Sequence, residues 1–293
     1  MKIKTILLTG TSGFIGKIFL KFILSKKYKV IDILRSKNKN NKSLNLLRNK
    51  YKNTYESIFF KDENEIKKKL RKKKIDFFIN FATLYKNDHS HNEISKFVES
   101  NIYFPTIVTD TIFLKIKKII NFGTMMQHSD GKTYSPKNFY ASTKSAFEMI
   151  LNYYTLQNKK LNQYNLKFYE SFHEDDVRKK LVPTLIKNYR QKKTTFINSK
   201  KLQLNIIHVN DIINAVMIIL QNNIKPGDYC LRQRKNFKIN YLISKINAKL
   251  HKKLKIKYRN EKILKFKNSS LKILPKWKPK TDILNKIQNK FNK

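Results

Sequence analysis

The chain has 293 residues, of which 40% are hydrophobic, and this composition suits one large or two smaller folded domains rather than a disordered protein. Its formal net charge of +44 comes almost entirely from lysines scattered along the chain, a pattern that favours a solvated surface over a dedicated nucleic-acid face. The single cysteine, Cys230, excludes an internal disulfide, and with no signal peptide and no membrane-spanning apolar run the sequence predicts a cytoplasmic protein.

Short apolar runs alternate with helical patterns through the first half of the chain. Strands are predicted at residues 4–10, 29–34, 57–61, 75–82, 117–123 and 166–171, and helices at 14–26, 65–73, 92–114 and 139–158. Near-continuous apolar strands separated by helices indicate a parallel sheet that is covered on both faces. The predicted fold class is therefore α/β, a Rossmann doubly wound parallel sheet whose ligand site lies at the carboxyl edge.

Half of the glycines in the chain fall between the first predicted strand and the first predicted helix. Residues 9–16 read Thr-Gly-Thr-Ser-Gly-Phe-Ile-Gly, and they hold three of the six glycines. In such a turn Gly10 permits the tight bend, Gly13 lets backbone N–H groups approach a pyrophosphate, and Gly16 lets the helix pack close to the sheet. The stretch predicts a dinucleotide site.

The end of the second predicted strand indicates which dinucleotide is bound. An NAD site has a carboxylate there, about 20 residues beyond the glycines, to hold the ribose hydroxyls. In this chain Leu34 ends the strand and Arg35, Ser36 and Lys37 follow, which favours the 2′-phosphate of NADP(H). Asp32 is a competing carboxylate that keeps NAD(H) possible if the strand is shorter than predicted.

Tyr140 and Lys144 lie one helical turn apart at the start of a predicted helix. An ammonium beside a phenol lowers the pKa of the phenol, so the tyrosine can exchange a proton during hydride transfer. Other tyrosine–lysine pairs in the chain share this spacing. Only this pair directly follows a strand that ends in a hydroxyl residue, Thr124, and position therefore selects it.

These motifs, with others in the same order, resemble the extended short-chain dehydrogenase/reductases, also called the NAD-dependent epimerase/dehydratase family. The resemblance runs nearly from end to end. Beyond the glycine stretch it is carried by NFATLY (80–85), NIYFPT (101–106), INFGTMMQ (120–127), PKNFYASTKSAFE (136–148), LNIIHVNDI (204–212) and LPKWKPKTDI (274–283). It implies a nucleotide-diphosphate sugar as substrate, oxidised or reduced chiefly at C4.

The resemblance also implies the roles of individual residues. Tyr140 is the catalytic acid/base, Lys144 binds the nicotinamide ribose and tunes Tyr140, and Thr124 hydrogen-bonds the reacting sugar oxygen. The implied cofactor site comprises Gly10, Ser12, Gly13, Phe14, Ile15, Gly16, Arg35, Ser36, Asp62, Phe81, Ala82, Tyr140 and Lys144. The implied substrate site comprises Thr83, Met125, Arg178, Lys180 and Gln203, the last standing where the family often has a pyrophosphate-binding arginine.

Departures from the family pattern narrow the predicted activity. The 4,6-dehydratases carry Asp-Glu after the catalytic threonine, and this chain has Met125 and Met126, whose thioethers cannot exchange protons. The predicted activity is an NADPH-dependent 4-keto-reductase of a nucleotide-activated deoxysugar for surface polysaccharide. The alternatives are an NAD-dependent nucleotide-sugar 4-epimerase and, in a different class, a non-catalytic Rossmann or RNA-binding protein.

The sequence also predicts the domain organisation and the partners. Residues 1–173, with 204–222 returning, form the NAD(P)-binding domain, and residues 174–293 form a substrate-binding cap. No metal and no integral membrane contact are expected, and nucleic acid is disfavoured. By analogy with the family, a homodimer is expected through the helices at 92–114 and 139–158.

Overall fold

The computed structural model describes residues 3–259, 261 and 269–291. They divide into two compact units, the first made of Met1–Lys167 with Asn222–Tyr229 and the second of Phe168–Gln221 with Cys230–Lys293. Each unit has its own hydrophobic core.

A seven-stranded sheet forms the centre of the first unit. Its strands are β1 (Lys4–Thr9), β2 (Tyr28–Arg35), β3 (Tyr55–Phe60), β4 (Phe77–Asn80), β5 (Lys118–Thr124), β6 (Asn162–Phe168) and β11 (Gly227–Leu231). They lie in the order β11-β6-β5-β4-β1-β2-β3, and β3, β2, β1, β4 and β5 pair in parallel. From β1 the chain runs outward through β2 to β3 and then crosses back to β4 on the other side of β1, so the switch point of the sheet lies between β1 and β4.

Helices connect these strands. They are α1 (Phe14–Leu24), α2 (Lys42–Lys50), α3 (Glu63–Arg71), α4 (Ile94–Val98), α5 (Phe104–Ile112) and α6 (Phe139–Gln157), with a π-helical turn at Glu99–Tyr103 between α4 and α5. Asn41, Asp62 and Asn138 cap α2, α3 and α6, each through a side-chain oxygen that accepts a backbone N–H. Three successive residues of β1, Ile6 to Leu8, are fully buried, which shows that helices cover both faces of the sheet.

The second unit is built from shorter elements. They are β7 (Glu170–Phe172), α7 (Leu181–Arg190), β8 (Thr195–Ile197), β9 (Gln203–Leu204), β10 (Ile206–His208), α8 (Val209–Gln221), β12 (Phe237–Lys238), α9 (Ile239–Asn247), β13 (Ile256–Tyr258) and α10 (Ile283–Phe291). The strands form three two-stranded pairs, β7 with β10, β8 with β13 and β9 with β12. Their core includes Phe172, Leu185, Ile239 and Ile287.

The predicted doubly wound parallel sheet is confirmed. The compact units differ from the predicted domains in the segment that returns to the first unit, which is Asn222–Tyr229 and not residues 204–222. The reason is that β11 joins the edge of the large sheet, whereas β10 pairs with β7 in the second unit and leads directly into α8. The assignment of a cofactor domain and a substrate cap stays a prediction, and residues 260, 262–268 and 292–293 of the predicted cap lie outside the described residues.

Candidate active site

The glycine turn lies at the switch point of the sheet. Gly10, the first residue after β1, has φ of +72°, and a side chain there would place its Cβ 2.4 Å from the backbone nitrogen of Ala82. The turn after β1 and the segment after β4 are therefore packed backbone to backbone. At Gly16 an added Cβ would lie 2.4 Å from the carbonyl oxygen of Gly10, so α1 is packed equally closely against the turn.

The N-terminus of α1 suits an anion. The backbone of Gly13, and no described side chain, caps this helix, and its first turn carries no acidic residue. Ser12 and Gly13 are exposed, while Phe14 and Ile15 are half-buried. Helix N-termini bind phosphate through backbone N–H groups and the helix dipole, so the turn fits the pyrophosphate of a dinucleotide.

The second strand runs one residue further than predicted and ends at Arg35, which is exposed. Ser36 follows, and its hydroxyl donates a 2.9 Å hydrogen bond to the carbonyl oxygen of Phe60 at the end of β3. This bond holds the ends of β2 and β3 together and fixes the backbone that carries the Arg35 side chain.

Asp32 lies in the interior of β2 and not at its end. The side chain is fully buried and accepts hydrogen bonds from the hydroxyls of Thr11, in the glycine turn, and Tyr55, the latter at 3.0 Å. Burial raises the pKa of Asp32 to about 7, although both hydrogen bonds act in the opposite direction. Asp32 thus ties the glycine turn to β2 and β3.

The remaining predicted cofactor residues have clear structural positions. Asp62 is exposed and caps α3, accepting the backbone N–H of Glu65 at 2.9 Å. The ring of Phe81 stacks on that of Phe122 with 4.6 Å between centroids, and the backbone N–H of Ala82 donates to the side chain of Asn80. Phe81 and Ala82 therefore adjoin Gly10, whereas the adenine role of Asp62 stays a prediction.

Thr124 is the last residue of β5 and is 6% exposed. Its Oγ1 accepts the backbone N–H of Met126 at 3.2 Å, and its own backbone N–H donates to the side-chain oxygen of Gln127 at 2.8 Å. The contact with Met126 occupies a lone pair of Oγ1, so the hydroxyl hydrogen is available for donation to another oxygen.

Tyr140 and Lys144 lie in the first two turns of α6. The side chains are 9% and 2% exposed, and the Tyr140 ring meets the edge of Tyr85 with 4.9 Å between centroids. Burial lowers the pKa of Lys144 to about 8, and the negative charge of Glu148, one turn further along α6, opposes that shift. The ammonium of Lys144 therefore titrates within the range in which enzymes work.

The sequence did not single out Gln127 and assigned no role to Asn101, and the structure shows that both brace this site. Gln127, which bonds Thr124, also donates to the hydroxyl of Ser145 on α6 at 3.2 Å. Asn101 donates to Thr143 on α6 at 3.0 Å and accepts the backbone N–H of Leu84 at 2.6 Å. The bonds from Gln127 to Ser145 and from Asn101 to Thr143 connect α6 to neighbouring segments. They hold in place the helix that carries Tyr140.

The predicted substrate residues of the first unit are Thr83 and Met125. Thr83 is exposed, and its hydroxyl lies 3.3 Å from the side-chain oxygen of Asn101. Met125 is buried in the turn after Thr124, while Met126 is half-buried. The positions that carry proton-exchanging residues in the dehydratases are thioethers here, and their substrate contacts stay predictions.

The other predicted substrate residues lie in the second unit. Arg178 donates to the carboxylate of Asp176 at 2.7 and 2.8 Å, and Lys180 lies 3.3 Å from a carboxylate oxygen of Glu170. Gln203 is exposed on β9. Substrate binding by these three residues stays a prediction.

His173, Glu174 and His208 are the donors that come closest to a metal site among the described residues. In each histidine Nδ1 accepts a backbone N–H, so the ring proton lies on Nε2, and the Nε2 of His208 is 2.8 Å from the Glu174 carboxylate. Lys286 lies 2.8 Å from the other carboxylate oxygen. The Glu174 carboxylate is thus shared between His208 and Lys286, and the expected absence of a metal stays a prediction.

A family model described as the NAD-dependent epimerase/dehydratase family matches residues 6–231, which is more than half of the chain. The chain belongs to this family. The family assignment explains why the glycine turn, Thr124, Tyr140 and Lys144 occur in one unit, and it confirms the predicted NAD(P)-dependent enzyme of the short-chain dehydrogenase/reductase type.

Individual relatives have 18–27% sequence identity with this chain. CDP-abequose synthase of Yersinia pseudotuberculosis is 27% identical over 220 residues, which are 74% of each chain. Among solved structures, a UDP-N-acetylglucosamine 4-epimerase of Methanobrevibacter ruminantium has a TM-score of 0.81 at 20% identity, with 100% of this chain and 98% of the other covered. A UDP-glucuronic acid 4-epimerase of Bacillus cereus, solved with NAD, has a TM-score of 0.81 at 18% identity over 98% of each chain. At these identities the structures establish the fold.

Within the described part of the chain, every helix is too short or too polar to cross a bilayer.

Proposed function

We propose that this chain is an NADPH-dependent reductase that converts the 4-keto group of a nucleotide-activated deoxysugar into an alcohol. The observation that carries the choice of cofactor is the end of β2, where Arg35 is exposed. The carboxylate that could serve an NAD ribose, Asp32, is instead buried and accepts hydrogen bonds from Thr11 and Tyr55. A guanidinium at this strand end suits a 2′-phosphate.

The proposed reaction requires a hydride at carbon and a proton at oxygen. The reduced nicotinamide, when bound, supplies the hydride. The Tyr140 phenol donates the proton to the keto oxygen, and the Thr124 hydroxyl donates a hydrogen bond to the same oxygen. The Lys144 ammonium stabilises the negative charge that Tyr140 acquires when its proton leaves.

One observation argues against dehydration, and a second supports the class of substrate. Met125 and Met126 follow Thr124, and a thioether can neither protonate a leaving hydroxyl nor remove a carbon-bound proton, which argues against dehydration. The relative from Yersinia pseudotuberculosis is named as a CDP-abequose synthase. That similarity supports a nucleotide-diphosphate sugar as the substrate, with CDP as the first nucleotide to test.

Cofactor preference tests the proposal. Nicotinamide fluorescence is measured while the protein is titrated with NADPH and, separately, with NADH. We expect NADPH to bind at least about tenfold more tightly, and Arg35→Ala to abolish that preference because each charge-assisted phosphate contact contributes about 1.5–3 kcal/mol. The control is Lys29→Ala, which removes an exposed cation at the other end of β2. A preference for NADH, or a preference for NADPH that persists in Arg35→Ala, would overturn the proposed cofactor.

An NAD-dependent 4-epimerase is the second candidate. Several structures with the same fold are nucleotide-sugar 4-epimerases, and some were solved with NAD. An epimerase retains its cofactor and returns the hydride to the same carbon. NAD released on denaturing the purified protein would therefore favour the epimerase. Membership of a family of enzymes disfavours the third candidate, a non-catalytic Rossmann or RNA-binding protein.

A homodimer completes the proposed assembly. Met149, Tyr153 and Leu156 are exposed by 64%, 55% and 64%, and their spacing places them along one side of α6. An exposed apolar stripe of this kind is typical of an interface. The occupant that we propose is α6 of a second copy, and the molar mass in solution tests it.

A further inference from the structure

A group of charged side chains is buried behind α6. Lys167, on β6, is fully buried, and its ammonium lies 2.9 Å from Glu148 on α6 and 2.8 Å from Asp228 on β11. The same ammonium donates to Nε2 of His128 at 3.0 Å. Three separate segments thus converge on one buried cation, an arrangement that is costly unless every partner is in place.

Tyr134 covers this cluster. The Lys167 ammonium lies 4.6 Å from the centre of the Tyr134 ring, and the Tyr134 hydroxyl is 2.9 Å from Glu148 and 3.1 Å from Asp228. His128 donates from Nδ1 to the carbonyl oxygen of Thr133, and burial lowers its pKa, so His128 is neutral. The cluster therefore brings two carboxyl groups, those of Glu148 and Asp228, onto one ammonium.

The cluster lies beside the part of α6 that carries Tyr140 and Lys144. Glu148 follows Lys144 by one helical turn, and both are at least nine-tenths buried. Gly123, the residue before Thr124, makes room for this carboxylate, because a Cβ there would lie 2.6 Å from Glu148 and 2.9 Å from the Lys167 side chain. The cluster packs directly on the strand that carries Thr124.

We infer that Lys167 is a positioning residue that keeps Glu148 ionised beside Lys144 and thereby sustains the positive charge of Lys144 next to Tyr140. The inference rests on the proposed function in one respect, since the charge of Lys144 matters for turnover only if the chain is the proposed reductase. The charge itself does not depend on that proposal. Burial raises the pKa of Glu148, and the Lys167 ammonium acts against that shift. Without Lys167, Glu148 would take up a proton, and Lys144 would lose the one carboxylate that opposes the effect of burial on its pKa.

The charge of Lys144 can be measured without substrate. In carbon NMR of lysine-labelled protein, the Cε signal of Lys144 is identified by its absence from Lys144→Arg. Burial lowers the pKa of Lys144 to about 8, so this signal should titrate at lower pH than those of ordinary lysines. We expect Lys167→Met and Glu148→Gln each to lower the midpoint by about one pH unit, since a neighbouring charge shifts a pKa by about that amount.

A double variant and two controls sharpen the test. In Glu148→Gln, the further change Lys167→Met should produce no additional fall, because Lys167 acts through Glu148. Lys167→Arg should restore the midpoint. Tyr154 lies on α6, like Glu148, and its hydroxyl donates to the carboxylate of Asp110 on α5; Tyr154→Phe removes this bond and should leave the midpoint unchanged.

Three results would overturn the inference: an unchanged midpoint in folded Lys167→Met, a rise, or a second fall in the double variant. If Lys167→Met does not fold, Tyr134→Phe decides, because it removes only the hydroxyl that lies 2.9 Å from Glu148 and 3.1 Å from Asp228 and keeps the Lys167 ammonium. A smaller fall in the midpoint supports the inference and an unchanged midpoint contradicts it.

The pH profile of turnover then separates the inference from the proposed function. The alkaline limb of kcat/KM, which reports the first proton lost by the Tyr140–Lys144 pair, should move to lower pH in the same variants. An NMR shift without reduction of any keto sugar would reject the proposed function and retain the role of Lys167.

Discussion

Single residues determine the proton chemistry of this site. Lys144 is buried, and the negative charge of Glu148 opposes the effect of that burial on its pKa. The Thr124 oxygen accepts the N–H of Met126 through a lone pair, which leaves its hydroxyl hydrogen available for donation. Both effects arise from contacts within a few residues of the reacting groups. The motif Tyr-x-x-x-Lys singles out Tyr140 and Lys144, whereas Lys167, the partner of Glu148, comes from a different segment.

Tyr140→Phe tests the proton donor. We expect turnover to fall about 10²–10⁴-fold, the contribution typical of a positioned acid, while the affinity for NADPH stays unchanged because the ring and its contact with Tyr85 remain. Steady-state rates and fluorescence titration measure the two effects separately. Tyr153→Phe, an exposed tyrosine on the same helix, is the control. Turnover of Tyr140→Phe above a tenth of the wild-type value would assign the proton to another group.

Among the elements, the apolar strands were predicted well and one polar strand was not. Strands β1 to β5 lie close to their predicted positions because their side chains form unbroken apolar runs. The last predicted strand, 166–171, instead spans Asn162–Phe168, since Gln163, Asn165 and Lys167 are buried in it and hide the pattern. Their burial is possible only because partners elsewhere in the fold satisfy Asn165 and Lys167.

One such set of partners is a polar row across the sheet. Thr9, Asn80 and Asn121 are register partners on β1, β4 and β5, and their side chains hydrogen-bond at 2.7 and 3.0 Å. Asn165 and Asp228 continue the row on β6 and β11. These residues lie about 40 or more positions apart, so no local pattern could have shown that they meet.

Two glycines of the turn between β1 and α1 are expected to differ in role, Gly16 in packing and Gly13 in cofactor binding. Gly16→Ala should destabilise the fold by about 1–3 kcal/mol, because the added Cβ meets the Gly10 carbonyl at 2.4 Å between two fixed backbones. At Gly13 the corresponding distance is 3.1 Å, so Gly13→Ala should fold and lose at least about tenfold in NADPH affinity, where the backbone approaches phosphate. Denaturant unfolding and fluorescence titration distinguish the two effects, and equal behaviour of both variants would contradict this assignment.

At the scale of the whole molecule, composition predicted less than order did. The net charge of +44 dominates the composition, yet it was the order of the motifs that carried the resemblance to the family, and the family model matches residues 6–231. Trp277 illustrates how the second unit is organised, since its indole N–H donates to the carbonyl oxygen of Asp211 at 2.8 Å. The Asp211 carboxylate accepts the backbone N–H of Lys280 at 2.9 Å, which joins two motifs that the sequence places far apart.

Deuterium transfer from NADPH tests most directly whether the hydride is delivered to C4 of the sugar. Purified protein is mixed with NADPH that carries deuterium at the transferable position of the nicotinamide and with a CDP-linked 4-keto-6-deoxyhexose, and the product is analysed by NMR and mass spectrometry. We expect stoichiometric oxidation of NADPH with deuterium at C4 of the product alcohol. Interconversion of 4-hydroxy epimers without net consumption of NADPH, or no transfer from NADPH under any nucleotide, would contradict it.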